Sequence, residues 1–401
     1  MTDSVSTPLR RIALPGAVWA LGFVSLLMDV SSELIHALLP VFVVGTLGVG
    51  ASWLGLIEGV AEATACIVKV FSGALSDRWG KRKPLALLGY GLAALTKPLF
   101  PLAGSALTVF LARFIDRIGK GIRGAPRDAL IADYTEPGQR GAAYGLRQSL
   151  DTVGAFAGPL LAVALMILLA NNVRLVMWIA VIPAVLCVAL LWFAVKEPPH
   201  LVAAPRRVLD LRPRDLPQAF WTLSLIAAFF TLARCSEAFL ILRGSDVGLQ
   251  FAWTPLVLVV MNVAYMLSAY PVGRLADRVP RLRLLMFGCV ILVSANVVLA
   301  WAKTPAVALA GAALWGLHMG FTETVLAAMV ADSAPSQLRG TAFGVFNLLR
   351  GVLLLAASVI AGVLWEHVGA RATFLTAGGL AAMSLALLVF GRQFRWAGIT
   401  R

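Results

Sequence analysis

Gly73-Ala74-Leu75-Ser76-Asp77-Arg78 returns two hundred residues later as Gly273-Arg274-Leu275-Ala276-Asp277-Arg278, with glycine, leucine, aspartate and arginine in the same places. A second block behaves alike. Ala132, Asp133, Arg140, Gly141, Ala143 and Gly145 come back as Ala331, Asp332, Arg339, Gly340, Ala342 and Gly344, an offset of 199. Trp53 repeats as Trp253, and Gly121 as Gly320. One such match is chance; several at a near-constant offset make the chain a duplicated unit.

Between these blocks the chain is apolar. Of 401 residues, 60% are hydrophobic and 13% charged, where a soluble domain carries about 25% charged. Apolar stretches predict helices over 14–46, 53–72, 84–103, 105–125, 142–169, 175–195, 219–242, 252–272, 284–302, 306–330, 341–365 and 371–391. Segments of this kind suit a hydrocarbon core of roughly 30 Å. Alternating ten-residue strands are absent, so helices must satisfy the backbone in lipid. The expected fold is an all-α membrane protein of twelve transmembrane helices in two pseudo-symmetric six-helix bundles, residues 1–195 and 219–401. The stretch 196–218, rich in Pro and Arg, reads as the linker between them.

A net charge of +14 invites a nucleic-acid reading, but the charges are arranged otherwise. Lys and Arg gather at Arg10 and Arg11, Arg78 to Lys83, Arg117 to Arg147, Lys196 to Arg214, Arg274 to Arg283 and Arg392 to Arg401; the alternate connections hold few. That asymmetry is the positive-inside pattern of a multi-pass inner-membrane protein with both termini cytoplasmic. The expected partners are the lipid bilayer, a small-molecule or ion substrate and protons, with no nucleic acid, for a monomeric chain. Cys66, Cys187, Cys235 and Cys289 lie in apolar segments without paired spacing, so neither a disulfide framework nor a metal finger is implied. The first span lacks a small-residue cleavage site and reads as retained. No phosphate-binding Gly-x4-Gly-Lys-Ser/Thr loop is present, so energy is expected from an ion gradient. No nucleophile with its base marks an enzyme, and no cofactor is implied.

The loop Gly73 to Lys83, including Asp77, Arg78, Gly80 and Arg82, resembles the signature loop of the major facilitator superfamily, and Gly273 to Arg283, with Asp277 and Arg278, resembles its degenerate second copy. Together with the twelve spans, the linker and the half-repeat, the resemblance covers the whole chain. It implies a secondary transporter working by alternating access, in which Asp77 and Arg78 latch the cytoplasmic side. Gly154, Gly158 and Pro159 resemble the span-five motif of proton-coupled antiporters, with Ala162 where a glycine is usual. Arg113 and Arg117 do not reproduce the superfamily's span-four spacing. Export is the expected direction; import of a metabolite is the first rival, and a non-transporting membrane sensor a remote one.

Charge inside a bilayer costs about 2.5–3.5 kcal/mol per residue on insertion scales, which makes each intramembrane ionisable group a functional candidate. Asp29, Glu33 and His36 fall within about 60° of helical arc, and Glu58, Glu62 and Lys69 within about 40°. An acidic cluster of these residues is expected to bind protons and a cationic solute; the competing reading pairs Glu62 with Lys69 and Glu58 with His36 to lock helices. Cys66 and His36 beside the carboxylates also raise a divalent-metal exporter. Arg113 and Asp116 are spaced to pair locally, with Arg113 free for an anionic group and everything from Arg117 onward at the cytoplasmic surface. In the second half Arg234 and Glu237 interrupt span seven, while His318, Glu323 and Arg350 are candidates in spans ten and eleven. Asn262 stands in Glu62's place, so the acidic cluster is not duplicated.

Overall fold

The computed structural model of the chain describes residues 14–79, 81–136, 139–198, 216–276, 278–335 and 338–393, without the side chains of residues 74, 77, 78, 324, 331, 339, 340 and 391–393. Gly80, Asp277, both chain termini and most of the 196–218 linker lie outside the described residues, as do the side chains of Asp77 and Arg78.

Helices account for the regular structure among the described residues. The first half holds α1 (Gly16–Val41, continued by a wider turn over Phe42–Thr46), α2 (Ala51–Trp79), α3 (Arg82–Thr96), α4 (Leu99–Leu102), α5 (Ala106–Tyr134), α6 (Arg140–Leu168), α7 (Val173–Ile179) and α8 (Val181–Ala194). The second holds α9 (Gln218–Leu232), α10 (Ala238–Asp246), α11 (Leu256–Leu275), α12 (Arg281–Trp301), α13 (Pro305–Asp332), α14 (Arg339–His367) and α15 (Ala370–Gln393). Three pairs of short helices each make one crossing, α3 with α4, α7 with α8 and α9 with α10, which gives twelve spans. Local chemistry sets the ends. Ser105 accepts a hydrogen bond from the Thr108 N–H at the start of α5, and Asn172 does the same for Leu175 at the start of α7.

Nine helical stretches among the described residues are long and apolar enough to cross a membrane. The α2 and α5 helices are 29 residues each, yet are not among the nine. Length and packing, rather than hydropathy, identify them as spans. Their charges are the subject of the next section.

The duplication is visible in the packing. In the first half α5 packs on α2 and α3, α1 on α6 and α8; in the second α13 packs on α11 and α12, α9 on α14 and α15. Glycines permit the same close crossings in both. A Cβ placed on Gly121 would sit 2.6 Å from the Val68 Cβ, and one on Gly320 would sit 2.8 Å from the Ser268 Cβ, so the 199–200 offset relates all four residues. The ion pair Arg82–Asp133 of the first half recurs as Arg281–Asp332 in the second.

The halves meet along α2–α14, α6–α11 and α1–α10. A Cβ on Gly59 would lie 3.0 Å from the Leu355 carbonyl, and one on Gly362 would lie 2.6 Å from that of Ala51. Two hydrogen bonds cross between halves among the described residues: Ser52 N–H to Glu366 Oε2 (2.9 Å) and Asn262 Nδ2 to the Ala155 carbonyl (3.0 Å). These contacts lie from the α1–α2 turn inward to mid-helix, so that end of the molecule is sealed.

Candidate functional site

Two buried ionic groups and a third, half-exposed one occupy the first half. Arg113 of α5 donates from Nε to Glu58 Oε1 (3.1 Å) and from Nη2 to Glu58 Oε2 (3.0 Å), a two-pronged pair in which both side chains are 1% exposed. The same Nη2 donates to His36 Nδ1 at 2.7 Å. A guanidinium has only donors, so Nδ1 accepts and the imidazole is neutral with its hydrogen on Nε2. Lys97, between α3 and α4, donates to Asp116 Oδ1 (2.8 Å) and Ser32 Oγ (2.9 Å), and both charged side chains are buried. Arg117 reaches Glu62 at 3.5 Å. Removing one member of the Arg113–Glu58 or Lys97–Asp116 pair strands its partner in low dielectric, at about 3–5 kcal/mol.

The second half is built differently. α9 ends at Leu232 and α10 begins at Ala238, and the non-helical link, midway along this crossing, places Arg234, Cys235, Ser236 and Glu237 on the wall of a cavity. Backbone irregularity at that depth is tolerated where it lines a cavity. Glu323 of α13 accepts hydrogen bonds from both Arg234 and Arg350 of α14, the latter at 3.2 Å. His318 is fully buried, edge-on to Trp315 (5.3 Å between rings) and to Phe230 (6.1 Å).

A cavity of about 220 Å³ lies between the halves. Of the residues singled out from the sequence, Glu33, His36, Glu58, Glu62, Arg234, Glu237 and Arg350 line it. Arg113, His318 and Glu323 stand behind that wall, each against a lining residue. Asp29 belongs to the α1–α6 contact, where a Cβ on Gly154 would come 2.9 Å from its own Cβ. Gly158 likewise holds α6 against α1, 2.8 Å from the Glu33 Cβ on the same test. Gly73 touches Ala125 of α5, and Arg278 is exposed. Arg82 stays within its own half, bound to Asp133 and to the Ala129 carbonyl (2.8 Å), while the Arg82 and Lys83 N–H groups both reach Glu197.

Several expectations are overturned. Arg117 does not lie at the surface but is buried on the cavity wall, and Lys120, though exposed, lines the same cavity, because α5 runs on to Tyr134 and leaves them near its middle. Arg113 and Asp116 do not pair with each other; each finds a partner on another helix, where side chains meet head-on. Glu58 and Glu62 are not an open acidic cluster, since each has an arginine of α5. Lys69 is exposed and does not pair with Glu62. Among the described residues no three His, Cys, Asp or Glu side chains are placed to share a metal; His36 Nδ1 is taken by Arg113, and Cys66 packs against Gly351 of α14. Lys120, Arg117, Trp315 and Leu354 of the cavity wall were not among the sequence candidates. The signal that would have found the first two is the helical continuity of α5 beyond residue 125, to Tyr134.

Two six-helix bundles joined around a central charged cavity define a membrane transporter. The family model described as Major Facilitator Superfamily matches residues 21–357 and, again, 238–398, and the chain belongs to that superfamily. An uncharacterised MFS-type transporter of Methanocaldococcus jannaschii is 32% identical over 379 residues, 93% of this chain and 94% of that protein. Multidrug resistance protein MdtH of Proteus mirabilis is 32% identical over 131 residues, 32% of each chain. A crystal structure of peptide transporter POT superposes with a TM-score of 0.81 at 14% identity, covering 96% of both chains; a likeness at that identity speaks for the fold alone.

Proposed function

We propose that this transporter is a proton-coupled exporter of a small solute, rocking residues 1–195 against 219–401 about the α2–α14 and α6–α11 seams. One observation carries the reading. Glu33 of the first half and Glu237 of the second line the same cavity, and neither has an ion-pair partner among the described residues. Every other acidic side chain of that wall is tied to arginine. Two uncompensated carboxylates in a cavity between moving halves are suited to take up a proton on one side and release it on the other.

The face carrying the α2–α3 connection is assigned to the cytoplasm and to an inner membrane by the basic residues gathered there. The structure then corresponds to a state sealed at the far face. Glu366 and the glycines of α2 and α14 act as the outer gate, and Asp77 with Arg78 as the inner latch. Export is supported by the Gly154–Pro159 pattern and by the partial likeness to a multidrug resistance protein.

The test is reconstitution of the full chain in proteoliposomes with an imposed pH gradient, screened over small acids, amines, amino acids and drugs. An exporter moves solute against the direction of proton flow, and the movement stops when the gradient is collapsed. Solute moving with the protons makes the protein an importer. Solute flux indifferent to the gradient removes proton coupling altogether.

A further inference from the structure

The cavity is of mixed charge, and the mixture is ordered. Glu33 and Glu237 come from α1 and the α9–α10 link, which neighbour each other across the seam between halves. Neither has a cationic partner within 4 Å among the described residues. Lys120 of α5 lines the same space, also without an ion pair. On the opposite half Arg234 and Arg350 share the one carboxylate of Glu323, which leaves a surplus positive charge.

Including the groups directly behind the wall, five carboxylates (Glu33, Glu58, Glu62, Glu237, Glu323) face five cations (Arg113, Arg117, Lys120, Arg234, Arg350). The site is balanced overall but unbalanced locally. A solute carrying only negative charge would meet two unpaired carboxylates. One carrying only positive charge would meet Lys120 and the arginine surplus. Like charges brought together in a desolvated site cost several kcal/mol.

A third observation comes from Trp315. It forms part of the cavity wall, is 1% exposed, and its indole N–H has no hydrogen-bond acceptor. That group only donates, and buried donors are normally satisfied. It lacks an acceptor here, as the two ring nitrogens of the adjacent His318 lack partners, and an oxygen entering from the cavity would supply one. Size limits the occupant too: about 220 Å³ is below the roughly 300–1,000 Å³ of sites for drug-sized ligands.

We propose that the solute is a small zwitterion of amino-acid size, its ammonium held by Glu33 and Glu237 and its carboxylate by Lys120, the Arg234–Arg350 pair and the Trp315 N–H. The inference rests on the transporter reading and adds a reason for exchange. Ammonium and proton compete for the same two carboxylates, so binding one releases the other. That competition is what couples opposite flows.

The experiment is thermal unfolding of the purified full chain in detergent with matched trios. Each trio holds an amino acid, the same molecule without its amine, and the same molecule without its carboxylate: leucine, 4-methylpentanoate and 3-methylbutylamine; β-alanine, propionate and ethylamine; and the remaining proteinogenic amino acids with their counterparts. A ligand that binds only the folded state raises the unfolding temperature. At least one zwitterion is expected to stabilise while its two truncated partners do not. Glu237→Gln and Arg350→Gln are each expected to weaken that binding about tenfold. Trp315→Phe, which removes the N–H and keeps the ring, serves as the milder variant where either of these unfolds. An acid or an amine stabilising as well as its zwitterion overturns the proposal, as does a panel in which no zwitterion stabilises. In the proteoliposome assay, an acid or amine moved by the pH gradient without zwitterion binding sinks this inference and leaves the transporter reading intact. Zwitterion binding with no response to the gradient does the reverse.

Discussion

Glu366, in the last turn of α14, accepts a hydrogen bond from the backbone N–H of Ser52 in the first turn of α2, 2.9 Å away and across the seam between the halves. The acceptor sits where a helix N-terminus presents unsatisfied N–H groups and favours a negative charge. Among the described residues this is the side-chain hydrogen bond that joins the halves at that face; apolar packing in the cluster that includes Phe42, Val43, Leu242 and Ala252, together with the glycine contacts, makes up the rest.

Glu366→Ala is therefore expected to shift the population towards a state open at the α1–α2 end. With the native cysteines replaced and Ser236→Cys placed on the cavity wall, a membrane-impermeant maleimide applied from that face should react faster in the Glu366→Ala background. An unchanged rate would show that the apolar and glycine packing keeps the gate shut without this hydrogen bond.

Gly158 puts the α6 backbone against α1, with a hypothetical Cβ 2.9 Å from both the Leu34 nitrogen and the Val30 carbonyl. These are backbone atoms, which cannot swing aside. Gly158→Leu should destabilise the fold by at least the 1–3 kcal/mol typical of overpacking, seen as a lower unfolding temperature, and should displace Glu33 from the cavity. A variant as stable and active as the parent would mean the two helices are not held in this contact.

Glu58 and Arg113 are both desolvated, so single loss and double loss have different consequences. Arg113→Met or Glu58→Leu alone strands a buried charge and should cost about 3–5 kcal/mol. The double variant should recover most of that stability, because a well-packed apolar pair replaces the ions. If it also regains transport, the pair is structural; if it folds and stays inactive, Arg113 or Glu58 takes part in the cycle.

The fold was legible because the sequence carries it redundantly. The half-repeat, the spacing of apolar stretches and the alternating basic connections all say twelve spans in two halves, and Gly121, Val68, Gly320 and Ser268 then meet as the offset requires. The site was legible in membership more than in pairing. Glu33, Glu62 and Glu237 could be picked out because lipid penalises charge wherever it lies on a span. Which cation answers which carboxylate depends on helices that neighbour each other only after folding. Helical spacing within α5 suggested Arg113 with Asp116, whereas Glu58 and Lys97 reach in from α2 and from the junction of α3 with α4. Arg117 was misplaced for a similar reason. A run of basic residues looks like the end of a span until it is known that α5 continues to Tyr134, which leaves Arg117, about 17 Å from the helix start at 1.5 Å per residue, in the first half of the helix.

Proton movement measured directly in the Glu33→Gln/Glu237→Gln double variant bears most heavily on this account. Proteoliposomes loaded with a pH-sensitive dye and given a gradient of the transported solute should show internal pH changing with the parent chain and remaining constant with the double variant, while Asp29→Asn, outside the cavity wall, keeps at least part of the signal. Undiminished proton flux in the double variant would contradict the claim that these two carboxylates carry the coupled proton.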